Sequence, residues 1–199
     1  MKRILYNSYC YSDVLLNKTK YYLNNNEINT YLETKRIYRN DDSLFYNLYN
    51  LTLPSSKLFE KIYLGNAYNS RDYYFLKDNN IGLIVNCTID IDNYFENDNE
   101  FTYHRVPVKD IPGANILEFL EDTVDTINKY LLENNDKKVL VHCFMGSSRS
   151  ASIISAYMIK YMNFNRRDAI GYIKEKRNIV NINVDFFKQL GDFQSLMKP

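Results

Sequence analysis

The segment 139–159 constrains the fold of this chain most, because it predicts a buried strand, a tight loop and an apolar helix in immediate succession. Val139 to Val141 are apolar and mostly β-branched, which is typical of a buried strand, and this strand would end at His142. From Ser150 onward, apolar residues cover most sides of a predicted helix. A strand that leads directly into such a helix is the repeating unit of an α/β sheet.

The loop between this strand and this helix begins with Cys143, has Gly146 near its centre and ends with Arg149. Main-chain N–H groups of a short loop before a helix converge on one point, which favours an oxyanion there. The same positive potential favours the thiolate form of Cys143, and the Arg149 guanidinium can bind two oxygens of a tetrahedral dianion. The pattern predicts a nucleophilic sulfur beneath a bound phosphate. The simpler alternative is a buried structural cysteine beside a surface arginine.

The rest of the chain predicts an α/β fold with a central twisted, largely parallel sheet and helices on both faces, because strands alternate with helices. Further strands are predicted at 61–65, 83–87 and 103–108. Asn69 would cap a helix with Asp72 in its first turn, and a long amphipathic helix would follow Asn115. Two helices would close the chain, the first capped by Asn165. The second would carry its inward residues at Phe186, Leu190, Phe193 and Leu196.

Residues 1–55 differ from the rest in their density of Tyr and Asn, and we interpret them as an N-terminal helical extension. One or two short amphipathic helices are predicted, around 13–23 and 28–38. The alternatives for their apolar stripe are packing against the main domain and forming a homodimer. The chain therefore divides into an extension, 1–55, and a predicted catalytic domain, 56–199.

Composition argues against several classes of function. The formal net charge of +1 gives no attraction to nucleic acid or to an anionic membrane, and no segment approaches the length of a membrane span. The three cysteines, Cys10, Cys87 and Cys143, are too scattered for a disulfide framework, so we expect a reducing compartment, cytoplasmic or nuclear. With two histidines in the chain, a metal centre built on His/Asp clusters is not expected.

The spacing H-C-x-x-G-x-x-R-S over 142–150 resembles the signature of the cysteine-dependent phosphatases, and the flanking residues are most similar to the dual-specificity branch of the protein tyrosine phosphatase superfamily. The resemblance extends over about 58–197. It implies that Cys143 is a nucleophile that forms a phosphocysteine, and that Ser150, also a candidate helix N-cap, hydrogen-bonds the sulfur. His142 would orient the loop through hydrogen bonds. The implied phosphate-binding residues are Phe144, Met145, Gly146, Ser147, Ser148 and Arg149.

Asp110 lies between a predicted strand and helix, in the run V-P-V-K-D-I-P-G-A-N, 33 residues before the cysteine (143 − 110 = 33). This run is similar to the general-acid loop of the same family. The resemblance implies that Asp110 protonates the leaving group and later activates water. Taken alone, Asp110 would be interpreted as a solvated loop carboxylate.

The resemblance implies a protein phosphatase that acts on phosphotyrosine and phosphoserine/phosphothreonine, with no metal and no cofactor. No lysine occupies the variable loop positions, which disfavours phosphoinositides, and Met145 stands where RNA 5′-triphosphatases tend to carry histidine. The short segment 63–86 leaves little room for a loop that deepens the pocket. The alternatives that stay open are an RNA 5′-phosphatase, a phosphoinositide phosphatase and a non-catalytic phospho-binding module. A cellular and a viral origin are both open.

Three weaker signals have two interpretations each. Cys87 is either a resolving thiol for oxidised Cys143 or a small apolar filler. Phe144 and Met145 either shape the pocket wall or pack under the loop. A basic cluster either attracts acidic substrates or is a solvated helix face; its members are Arg166, Arg167, Lys174, Lys176 and Arg177.

Overall fold

The computed structural model describes residues 53–197. The predicted helices at 13–23 and 28–38, the dimerisation arm and Cys10 lie outside the described residues. The boundary between 55 and 56 therefore stays a prediction.

Five strands form one sheet within the described residues, in the spatial order β1-β2-β5-β3-β4. Neighbouring strands are parallel except for the short edge strand β1, which is antiparallel to β2. The strands are β1 (Ser56–Lys57), β2 (Ile62–Gly65), β3 (Ile81–Asn86), β4 (Thr102–Arg105) and β5 (Lys138–His142).

The helices connect these strands and then close the described part of the chain. They are α1 (Ala67–Ser70), α2 (Tyr73–Asp78), α3 (Leu117–Glu133), α4 (Arg149–Met162), α5 (Arg166–Lys176) and α6 (Val184–Leu196). Asn165 caps α5, as predicted, by accepting main-chain N–H groups of Arg167 and Asp168.

The sheet is covered on both faces, which confirms the predicted fold class. Alternate strand residues face opposite sides. Leu64, Val85 and Val141 belong to the larger core, which is closed by α3, α4, α5 and α6. Tyr63 and Leu140 point to the other side, where a smaller core includes Leu76 of α2. Helix α4 is buried on most sides because α3, α5 and α6 pack around it.

Three local predictions need correction. The predicted helix near Asn69 is two helices: Asn66 caps α1, and Asp72 caps α2 by accepting the N–H of Phe75. Strand β4 ends at Arg105 rather than at residue 108, and the following Pro107 has no N–H for a strand ladder. The last inward residue predicted on α6, Leu196, is 70% exposed.

The carboxyl ends of the four parallel strands lie side by side. His142 is in register with Gly65 of β2 and with Asn86 of β3, and Asn86 is in register with Arg105 of β4. The loops that leave these strands therefore start from one edge of the sheet, which is where open α/β sheets bind ligands. Within residues 53–197, no helix is long and apolar enough to cross a membrane.

Two leucines of α6 provide a test of the packing. Leu190 is fully buried and Leu196 is 70% exposed. We expect Leu190→Ala to lower the free energy of unfolding by about 2–5 kcal/mol, because it leaves a cavity beneath α6. The matched change Leu196→Ala should stay within about 0.5 kcal/mol of the parent chain. Urea unfolding of both variants measures the difference, and equal destabilisation would contradict the packing described here.

Candidate active site

The Cys143–Arg149 loop follows β5, and its carbonyl groups are bound from outside. Phe144 O accepts the N–H of Ala67, and Ser147 O accepts that of Asn181. Met145 O and Gly146 O accept hydrogen bonds from the Arg177 guanidinium. In a planar trans peptide the C=O and the next N–H point in opposite directions. Turning four successive carbonyls outward therefore directs the N–H groups of residues 145–148 into the loop.

Arg177 holds the outer side of this loop. Its Nε donates to Gly146 O at 3.0 Å, its Nη2 to Met145 O at 3.0 Å and its Nη1 to Pro54 O at 2.8 Å. The residue is 4% exposed. Burial lowers the pKa of Arg177 to about 10, and attraction to Cys143 opposes that shift. A buried guanidinium thus fixes the loop and places a positive charge behind it.

Gly146 is required by two features of its position. Its φ is +70°, in the left-handed region that side chains disfavour. A Cβ there would lie 2.5 Å from Gly65 O at the end of β2. The loop can therefore pack against the neighbouring strand only with glycine at this point.

Two hydrogen-bond donors contact the Cys143 sulfur. Sγ accepts the N–H of Gly146 and the hydroxyl of Ser150, each at 3.2 Å. Two donors therefore point at the sulfur, one from the main chain of the loop and one from the first turn of α4. The Cys143 residue is 1% exposed, so the sulfur lies at the base of the loop.

The sequence offered Ser150 for two roles, the N-cap of a helix and a hydrogen bond to the sulfur, and the structure assigns these roles to two different serines. The N-cap position of α4 is Ser148, not Ser150. The Ser150 hydroxyl is fully buried and bonds the sulfur. The candidate N-cap role of Ser150 is therefore wrong, and its contact with Cys143 is the one that the resemblance implies.

Asp110 lies beside this loop, as the implied general-acid role requires. Its Oδ1 accepts the Ser148 hydroxyl at 2.8 Å and the Asn183 side-chain amide at 2.8 Å. Two residues earlier, Val108 O accepts a bond of 3.3 Å from Arg149 Nη1. The Asp110 loop (residues 106–116) is thus joined to the Cys143–Arg149 loop by side chains of both.

His142 is a buried neutral imidazole. Burial lowers its pKa to about 3, with the charges of Arg105 and Arg149 acting in the same direction and a hydrogen bond with the Cys143 main chain opposing them. Within the described residues, His142 Nδ1 has no hydrogen-bond partner. The role of His142 in orienting the loop therefore stays a prediction.

Phe144 and Met145 are both buried, which is consistent with packing under the loop, and the alternative of a pocket wall stays open. Ser147 is half-buried, and its hydroxyl donates to Ile179 O at 2.7 Å. Of the predicted phosphate-binding set, the main-chain N–H groups and Arg149 remain as the groups that can contact a phosphate. No lysine lies among them.

The structure tests the interpretations of Cys87 and of the basic cluster to different extents. Cys87 is fully buried, and desolvation, followed by the charge of Cys143, raises its pKa well above the usual value. It is therefore a poor thiolate, and a resolving role stays a prediction. The solvated-face interpretation of the basic cluster is wrong for Arg177, which is buried.

Within residues 53–197, no group of three or more His, Cys, Asp or Glu side chains could hold a metal ion.

Sequence reasoning missed two residues of the site, Arg177 and Asn183. Arg177 lies directly after α5, where a charged residue is usually a solvated helix end. Asn183 precedes an apolar helical pattern and is a recognisable N-cap. Its second contact, with Asp110, could not be inferred because it joins segments 73 residues apart.

Comparisons with known proteins agree with this geometry. A family model for the dual specificity phosphatase catalytic domain matches residues 62–196. Human protein phosphatase Slingshot homolog 2 is 33% identical over 157 residues, which are 79% of this chain and 11% of that protein. Human dual specificity protein phosphatase 7 is 36% identical over 135 residues, 67% of this chain and 31% of that protein. The chain thus spans less than a third of either relative's length.

A solved structure has a similar fold. The crystal structure of DUSP15 is 31% identical to the chain and has a TM-score of 0.65. The match covers 70% of this chain and 86% of that one.

The support given by Arg177 can be measured. Arg177→Met removes donors from three main-chain carbonyls, so the free energy of unfolding should fall by roughly 3 kcal/mol or more, and affinity for inorganic phosphate should fall with it. Arg167→Met, on the exposed side of α5, is the matched control and should change neither quantity. Denaturant unfolding and calorimetric phosphate titration provide the two readouts. Unchanged phosphate binding in a folded Arg177→Met variant would contradict this role.

The buried His142 predicts a pH dependence of stability. An unfolded histidine takes up a proton near pH 6.5, whereas folded His142 does so only near pH 3. Between these values the unfolded state binds more protons, so the free energy of unfolding falls with falling pH, by up to about 1.4 kcal/mol per unit. His142→Asn should flatten this slope between pH 6 and pH 5 (about one unit, chosen above most carboxylate titrations), and His104→Asn should leave most of it. An unchanged slope in His142→Asn would contradict the prediction.

Proposed function

The chain belongs to the dual-specificity phosphatase family, and from that membership we propose that it hydrolyses phosphate monoesters of tyrosine, serine and threonine in proteins. The observation that carries the proposal is the contact between the two loops. Asp110 is hydrogen-bonded to Ser148 of the same loop whose Gly146 N–H contacts the Cys143 sulfur. A nucleophile, anion-binding groups and a proton donor would then share one site, which is what ester cleavage needs.

The first step would transfer the phosphoryl group to sulfur. The phosphate oxygens would accept the inward N–H groups of the loop and the guanidinium of Arg149. The Cys143 thiolate would attack phosphorus, forming an S–P bond as the P–O bond to the side-chain oxygen breaks. Protonated Asp110 would give its proton to that oxygen, so that the product leaves as a neutral alcohol or phenol.

The second step would regenerate the enzyme. Asp110, now ionised, would take a proton from a water molecule that attacks phosphorus, and the S–P bond would break. The returning thiolate would be stabilised by the Gly146 N–H and the Ser150 hydroxyl, both 3.2 Å from the sulfur. The products are inorganic phosphate and the starting form of Cys143 and Asp110, so no cofactor enters the balance.

Two features support a phosphoprotein substrate of either class. Only the short helices α1 and α2 lie between β2 and β3, so this segment brings no long loop to deepen the cleft. A shallow cleft admits both the long phosphotyrosine and the short phosphoserine or phosphothreonine side chains. The relatives named above are described as protein phosphatases.

The alternatives have less support. A phosphoinositide carries additional phosphates that basic loop residues would meet, and positions 144, 145, 147 and 148 hold none. A non-catalytic phospho-binding module would not need Cys143 or Asp110, and both are present. Since the proposed nucleophile must stay reduced, we propose a reducing compartment such as the cytoplasm or the nucleus.

The nucleophile and the acid can be tested separately. Cys143→Ser should abolish turnover of phosphopeptides and still bind them, because the loop N–H groups remain. Asp110→Asn should lower kcat for a phosphothreonine peptide by about 10²–10⁴-fold, since an amide has no acidic proton to give. Steady-state phosphate release measures both.

Matched controls exist for each variant. Cys87→Ser changes a buried cysteine outside the loop, and Asp122→Asn changes an exposed aspartate on α3; both should keep parental kcat. Parental turnover in Cys143→Ser would overturn the proposed function.

A further inference from the structure

We propose that Asn183 is a positioning residue which, together with Ser148, fixes the oxygen of Asp110 that carries the transferable proton. The proposal rests on the proposed function and deepens it. Asn183 is the N-cap of α6, so one side chain would both begin the last helix and orient the acid.

The orientation of the Asn183 amide is set by the helix. Its Oδ1 accepts the N–H of Phe186 at 2.8 Å, which is the capping bond. The oxygen of the amide therefore faces α6, and its Nδ2 donor faces Asp110 Oδ1 at 2.8 Å. An amide nitrogen has no lone pair to accept with, so Asn183 can only donate to Asp110.

Ser148 donates to the same oxygen. Its Oγ accepts the main-chain N–H of Asn183 at 3.3 Å, which leaves the single hydroxyl proton for Asp110 Oδ1 at 2.8 Å. The main chain of Asn183, its side chain, Ser148 and Asp110 thus form a closed ring of hydrogen bonds.

The ring distinguishes the two oxygens of the Asp110 carboxyl group. A carboxyl oxygen has two lone-pair sites, and both sites of Oδ1 are occupied by donors. A proton bound to Oδ1 would be repelled by the hydrogens that Ser148 and Asn183 already direct at this oxygen. Protonated Asp110 must therefore carry its proton on Oδ2. The same oxygen is then the one that transfers it.

The rest of α6 holds the Asp110 loop in place. Asp185 Oδ2 accepts the N–H of Gly113 at 2.9 Å. Gln189 Oε1 accepts the N–H groups of Ile116 and Leu117 at 2.8 and 2.9 Å, and its Nε2 donates to Ala114 O at 2.9 Å. Because one helix fixes the loop at successive points, the acid is positioned before substrate arrives, which lowers the cost of ordering it later.

The test is Asn183→Ser, which keeps a capping oxygen for α6 but has no donor long enough to reach Asp110. Turnover is compared on two substrates, phenyl phosphate, whose leaving group needs a proton, and an activated aryl phosphate, whose leaving group does not. Both are repeated in an Asp110→Asn background. Asn165→Ser is the matched control, because it makes the same change at the N-cap of α5.

We expect Asn183→Ser to lower kcat on phenyl phosphate by about tenfold, the equivalent of one lost hydrogen bond, and kcat on the activated ester by less than about twofold. In the Asp110→Asn background the loss should disappear, since both changes then act on one group. Asn165→Ser should behave as the parent, and inhibition by inorganic phosphate should be unchanged in all of these variants.

Equal loss on both substrates, or a loss that persists in the Asp110→Asn background, would overturn the inference and indicate a purely structural role. So would unchanged turnover on phenyl phosphate. These outcomes differ from failure of the proposed function, in which the parent chain itself would turn over neither ester.

Discussion

The site depends on the outward hydrogen bonding of the carbonyl groups in the Cys143–Arg149 loop. When a carbonyl of the loop is hydrogen-bonded on the outer side, the N–H of the next residue points into the loop. The contacts on the outer side of the loop therefore create the anion site. Arg177 supplies two of these contacts through one buried guanidinium. Leaving two adjacent carbonyls without donors would cost about 1–3 kcal/mol each. We therefore expect Arg177 to affect phosphate binding although a bound phosphate would not touch it.

The register of the sheet explains why residues far apart in sequence meet. Strand β5 lies between β2 and β3, and β4 is next to β3, so the loops after β2, β4 and β5 leave the same edge. Gly146 then packs on Gly65 O, and Asp110 reaches Ser148. Helix α6 adds the last constraint by holding the Asp110 loop from its other side.

Local patterns predicted the parts of this site but not the contacts between them. The strand and loop around Cys143 and the capping of α5 by Asn165 follow from short-range chemistry, so the sequence predicts them well. The inward position of Leu196 was wrong because helical periodicity does not tell where the neighbouring elements end. For Arg177, one of the two interpretations was a solvated helix face, because a charge after a helix is usually exposed. Its burial depends on three carbonyl groups contributed by distant segments, which no local pattern specifies.

The charges around the sulfur favour an anion in the loop even before substrate contacts are considered. Among residues 53–197, Arg177 binds neutral carbonyls and no carboxylate, so within this part of the chain its charge is solvated by dipoles. His142, which adjoins Cys143, contributes no positive charge at neutral pH because burial keeps it deprotonated. The remaining positive potential comes from the guanidinium groups and the first turn of α4. A bound anion would satisfy this potential. Since no carboxylate of residues 53–197 pairs with the buried Arg177, an anion held in the loop would offset part of the cost of burying that charge.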